Sequence, residues 1–118
     1  MDSIIRGTTP TISLTVPGLS EINPQEIWFT FKSGTAITTF QYSETDDLGL
    51  DGDTIILNLS QEQTLSFNVG ILYMQVRLLD VLGMAYATPV LSIMVNDVLQ
   101  GGVIELLTIE DEEQTGSE

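Results

Sequence analysis

The chain contains no histidine and no cysteine, and its only basic side chains are Arg6, Lys32 and Arg77. Each absence removes a class of chemistry. Without imidazole there is no ordinary proton shuttle near neutral pH. Without thiols there is no cysteine nucleophile, no soft metal ligand and no disulfide framework. A serine nucleophile would lack its usual histidine base, and a Ser–Lys arrangement would have to rely on Lys32 alone. The expectation is therefore a protein that is not an enzyme, with no catalytic residue, no cofactor and no metal site to nominate. Its product is a surface.

The shortage of positive charge also limits the partners. Seventeen Asp and Glu leave a net charge of −14 over 118 residues. A phosphate backbone or an anionic bilayer is held by several Lys and Arg contacts, so neither nucleic acid nor membrane is an expected partner. The longest apolar-rich stretch, Val69 to Val95, is cut by Gln75, Arg77, Asp80, Gly83, Thr88 and Pro89, which disqualifies it as a span. Met1 to Arg6 lacks the basic and apolar regions of a secretory signal. Protein, a neutral glycan or further copies of the chain remain. The length suits one domain, expected over residues 1–108, with an acidic tail at 109–118.

What is present reads as β-structure. Thr11–Val16 alternates, with Ile12, Leu14 and Val16 on one face. Glu26–Lys32 places Ile27, Phe29 and Phe31 inward but breaks the alternation with Trp28. Ser33-Gly34 is a turn signal, and Ala36–Tyr42 is the expected hairpin partner. Thr54–Leu59 and Ile71–Asp80 alternate in the same way, Met84–Thr88 returns after Gly83, and Val90–Val98 enters through Pro89. Ser20–Gln25 and Ser43–Asp53 read as loops, and Val103–Thr108 as a last short strand or a helix turn. Ser60-Gln61-Glu62-Gln63 carries the spacing of a capping box, giving one helical turn over Gln61–Leu65 that links two strands across the end of a sandwich. The fold expected is all-β, an Ig-like antiparallel sandwich of seven or eight strands with one short helical turn. Its expected core is Ile12, Leu14, Ile27, Phe29, Phe31, Ile55, Leu57, Leu65, Phe67, Leu72, Met74, Val76 and Ile93.

Few constellations carry chemistry. Asp46, Asp47, Asp51 and Asp53 could supply oxygens to calcium, but with Asp47 first the third position is Gly49 and the twelfth Asn58, which fails the EF-hand spacing. The loop reads as turn chemistry. No pair among the many carboxylates is marked out for glycoside hydrolysis. Trp28, Tyr42, Tyr73 and Tyr86 either line a sugar platform or serve the core and sheet edges. Arg77, mid-strand beside Gln75, either faces solvent or pairs with an acid. The acidic tail reads as a solubilising segment or as a docking arm for a basic partner.

The segment Ile5-Arg6-Gly7-Thr8-Thr9-Pro10-Thr11 resembles the opening of a group of small phage and prophage proteins of Gram-positive hosts, which start Arg-Gly-Thr-Thr-Pro-Thr and continue into a strand. Leu59-Ser60-Gln61-Glu62-Gln63-Thr64-Leu65-Ser66-Phe67 resembles that group's Leu-Thr-Gln-Glu-Asp-Thr-Leu-x-Phe element, with Ser60 and Gln63 as departures. Gln75-Val76-Arg77 and the closing Val98-Leu99 and Gly102-Val103-Ile104 extend the likeness over most of residues 5–104. The opening is also similar to the N-terminal domain of phage baseplate upper proteins, a β-sandwich that docks onto a tail. The resemblance implies a structural virion protein, made in the bacterial cytoplasm and built into tail, neck or capsid. A carbohydrate-binding module recognising a host glycan is the alternative. Independently of that likeness, the Arg6–Pro10 segment either begins a strand of its own sheet or is an arm that augments a neighbour's sheet.

Apolar side chains on both faces of the strands carrying Trp28 and Ile71–Leu79 predict a contact surface, because a strand of an isolated sandwich shows water one polar face. The expected interface residues are Arg6, Trp28, Tyr73 and Arg77. The expected assembly is a homo-oligomer or docking to a larger ring, with acids kept to the rim.

Overall fold

The computed structural model describes residues 3–105, and within them the chain forms two packed β-sheets, as the alternation predicts. The strands are β1 (Ser3–Ile5), β2 (Thr11–Thr15), β3 (Pro24–Ser33), β4 (Ala36–Gln41), β5 (Leu48–Asp51), β6 (Thr54–Asn58), β7 (Gly70–Asp80), β8 (Ala85–Ala87) and β9 (Leu91–Asn96). Two short helices, α1 (Leu19–Ile22) and α2 (Gln61–Leu65), join the layers. The large sheet runs β1-β9-β7-β3-β4, with β8 also on β7, and the small sheet runs β2-β6-β5. This matches the B-E-D and G-F-C layers of the immunoglobulin arrangement. One feature departs from it. The first strand does not flank β2. It crosses to the other sheet and pairs with β9, in parallel, with Ile4 opposite Val95.

The core lies between the sheets. Phe31 is its hub, with ring centres 5.1 Å from Phe29, 5.8 Å from Phe40 and 5.4 Å from Phe67. Ile27, Ile55, Leu57, Leu72 and Val76 fill the layers around it, with Ile12, Met74 and Ile93 at one side. Leu14 and Leu65 are half-buried at the margin rather than central. Ile4, Leu19, Phe40, Leu48, Leu59, Leu78 and Val95 are core residues outside the expected set.

The turns follow local chemistry. Ser33 and Ala36 close the β3–β4 hairpin over Gly34-Thr35, and Gly34 has φ 62°. A positive φ at the first central position suits glycine, because a Cβ there meets the carbonyl. At α2 the Ser60 hydroxyl accepts from the Gln63 amide at 3.1 Å while the Gln63 side chain accepts from the Ser60 amide at 2.7 Å. That is the expected capping box. It starts the turn that carries the chain from the small sheet to the large one.

Several expectations are corrected. Ser20–Gln25 is not wholly a loop. Leu19–Ile22 is a second helical turn, bracketed by left-handed Gly18 and Asn23, and Asp53 accepts from the Gly18 and Ser20 amides that such a turn leaves free. Ser43–Asp53 holds strand β5, which pairs antiparallel with β6. The last strand is shorter than Val90–Val98. Within the chain, Arg6–Pro10 is not part of a strand and carries the backbone from β1 in the large sheet to β2 in the small one. Residues 103–105 form neither strand nor helix. The rest of the Val103–Thr108 expectation and the acidic tail at 109–118 lie outside the described residues.

Candidate functional site

Antiparallel register assembles a site on the outer face of the large sheet. One row runs Gln41, Trp28, Arg77 and Ala87 across β4, β3, β7 and β8. A second runs Ile37, Lys32, Tyr73 and Ser92 across β4, β3, β7 and β9. Thr39, Thr30 and Gln75 lie between them, and Ile71 stands opposite Met94. Ile37 is 66% exposed, and Trp28, Ile71, Tyr73, Leu79 and Met94 are also open to solvent.

The small sheet's outer face is chemically opposite. Its register exposes Thr11, Ser13 and Thr15 on β2 and Thr54 and Asn58 on β6. Thr11 donates to Asn58 at 2.7 Å, and the Thr15 and Thr54 hydroxyls lie 3.0 Å apart. Ile56 is the apolar exception on that face. The two layers share one core but present water with different surfaces.

Among the described residues of the chain, Arg77 stacks on an aromatic ring and not on an acid. Its guanidinium carbon sits 5.8 Å from the centre of the Trp28 ring, within cation–π range. It faces solvent, and the ion pair found among the described residues is Arg6 with Asp97 at 2.7 Å. Trp28, Arg77, Leu79, Ala85 and Glu26 line a shallow cleft. Glu26 is the acid at this margin. Partial burial opposes its charge, but hydrogen bonds from the Ser43 hydroxyl and from the Ile27 and Ser43 amides outweigh that and lower its pKa. Lys32 and Arg77, two of the three basic side chains, lie on this face, while Asp46 to Asp53 belongs to β5 and its flanking turns in the other sheet.

Three of the four residues expected at an interface therefore share a surface. Arg6 does not. It donates to Asp97 and, at 2.8 Å, to the Leu65 carbonyl at the end of α2. Around it the two segments that carried the phage resemblance lock together. The Thr64 hydroxyl accepts from the Gly7 amide at 3.0 Å and donates to the Thr8 carbonyl at 2.8 Å, and Leu59 donates to Pro10 at 3.0 Å. A Cβ on Gly7 would stand 3.5 Å from Leu65, and its φ of 82° disfavours any other residue.

Sequence reasoning missed the tip between β7 and β8. Asp80 is buried at the base of this turn. Its carboxylate accepts from the Leu82 and Met84 amides, each at 2.9 Å, and from the Tyr86 hydroxyl at 3.2 Å. The Met84 amide leads these bonds in lowering the Asp80 pKa. The fixed turn holds Val81, Leu82 and Met84 outward, with Leu82 85% exposed. The signal available in sequence was an unbroken run without charge from Val81 to Asn96.

Among the described residues no cluster of three or more Asp or Glu could hold a metal ion, and no helix is long and apolar enough to cross a membrane. No protein-family model matches the chain, and no curated protein matches its sequence.

Proposed function

We propose that the chain is a structural, non-enzymatic virion protein of a phage or prophage, docking through the outer face of its large sheet to further copies or to a larger tail, neck or capsid component. The observation that carries this reading is the contrast between the two outer faces. One is built of hydroxyl and amide side chains that water satisfies. The other exposes Ile37, Trp28, Tyr73, Ile71 and Met94 together with two of the three cations. Exposed apolar area of this extent marks a contact site, and aromatic and Arg side chains are the common anchors of such contacts. The virion context rests on the resemblance of residues 5–11 and 59–67.

Light scattering on the purified chain at moderate salt tests the docking. Association is expected, and Tyr73→Asp should remove the share of it that the sheet face carries. A strict monomer at high concentration that also recovers no partner from virions would remove the reading. The cleft at Trp28 supports a second reading, a module for host glycans. Specific glycan binding lost in Trp28→Ala, without self-association, would favour it.

A further inference from the structure

The sandwich is open along one side. Because β1 pairs with Met94–Asn96 of β9 rather than with β2, the outer edge of β2 has no partner among the described residues, and neither does the Leu91–Ile93 half of β9. Between these edges lies a recess of about 330 Å³, with Phe29 and Met74 as its floor, Ile12 and Leu14 on one wall and Leu91 and Ile93 on the other. Unpaired strand edges over an apolar floor form an acceptor for another segment.

The molecule also carries a matching projection, the Val81–Met84 tip. Asp80 fixes its shape before any contact is made, so docking it costs little further ordering. The tip cannot reach its own recess. Leu79 lies on β7 five residues beyond Met74, about 16 Å along the strand, with the turn pointing away.

We propose that the tip of one copy inserts Leu82 into the β2–β9 recess of a second copy. Charge selects a copy as the occupant. A basic partner would be drawn to acid-rich surface, whereas chains of −14 can approach closely only where acids are absent. The tip and β9 both lie in the uncharged run Val81–Asn96, and the recess lining contains no charged residue. The contact is head-to-tail, so it propagates into a ring or a filament instead of closing as a twofold dimer. It is independent of the sheet face described above.

Two variants test it, each in a Tyr73→Asp background that silences the sheet face. Leu82→Asp disables the tip and leaves the recess intact. Leu91→Lys disables the recess and leaves the tip intact. Both positions are exposed, and unchanged circular dichroism and melting confirm folding. The Tyr73→Asp parent is expected to associate in sedimentation velocity, more strongly as salt screens the like charge. Each variant alone should lose at least roughly 30-fold in affinity, the effect of one anchor residue. Mixed, they should form a 1:1 dimer that grows no further. A monomeric parent, a mixture that stays monomeric, or association unaffected by either change overturns the proposal. So does binding of the parent to neutral phosphatidylcholine vesicles, lost in Leu82→Asp, without self-association.

Discussion

Thr64 joins the two halves of the inter-sheet crossover, so replacing its hydroxyl measures what that joint contributes. Thr64→Val keeps the shape of a side chain that is fully buried and removes one atom's hydrogen bonding. The Gly7 amide and the Thr8 carbonyl, at 3.0 Å and 2.8 Å from that oxygen, lose their partner together. A buried polar group left unpaired costs about 1–3 kcal/mol. Both groups are only part-buried, which favours the lower end and gives about 2 kcal/mol for the pair. A chain of 118 residues unfolds with an entropy near 0.25 kcal/mol/K, at roughly 2.1 cal/mol/K per residue, so the midpoint should fall by about 8 °C. Thr64→Ser supplies the control, because it keeps the hydroxyl and loses a methyl worth about 1 kcal/mol. Calorimetry on the three proteins, with amide exchange at Gly7, reads both effects. A valine variant as stable as the serine variant, or one whose Gly7 amide stays protected, would refute the joint.

Ser60→Ala should lower stability by about 1 kcal/mol in chemical denaturation, since it removes the hydroxyl half of the α2 capping box. Phe31→Ala should cost about 3–5 kcal/mol by the same measurement, because three aromatic rings lose their common neighbour; a loss under 1 kcal/mol would show that Phe31 is not the hub. Asp53, Asp80 and Asp97 each have a folded pKa below the usual carboxylate value, led by amide donation from Ser20, Met84 and Val98 respectively. Their stabilisation is complete above the unfolded pKa of about 3.9 and is lost as pH falls through the lower folded values. Melting temperature should therefore drop below about pH 4, and a rise continuing to pH 3 would contradict the assignment. Asp80→Asn should speed amide exchange at Leu82 and Met84 at neutral pH.

Much of the architecture was legible because alternation of apolar and polar residues has the period of a strand. Ile12, Ile27, Phe29, Phe31, Ile55, Leu57, Leu72 and Val76 point inward as their spacing demands. The Ser60–Gln63 box was legible for the same reason: both hydrogen bonds close within four residues. Elements whose partners are distant were not. β1 is three residues long and gains its order from β9, more than eighty residues away. β5 hides among aspartates, although Leu48 and Leu50 alternate, because the acids mask a two-residue apolar signal. α1 depends on two left-handed residues and on the Asp53 carboxylate, which the β5–β6 turn brings beside the end of β2.

The candidate surface divides along the same line. Composition alone set the expectations about chemistry: the chain has no histidine and no cysteine, and three cations against seventeen acids. The sequence also showed that Trp28 and Tyr73 point away from the core, since parity along a strand is a local property. Only the tertiary structure decided that Trp28 stands under Arg77, that Arg6 is held to Leu65 and Asp97 away from that face, and that β2 has one edge without a partner among the described residues. Those outcomes depend on register and on which sheet receives the first strand. They are fixed by backbone pairing between segments far apart in sequence, and no local pattern of side chains encodes them.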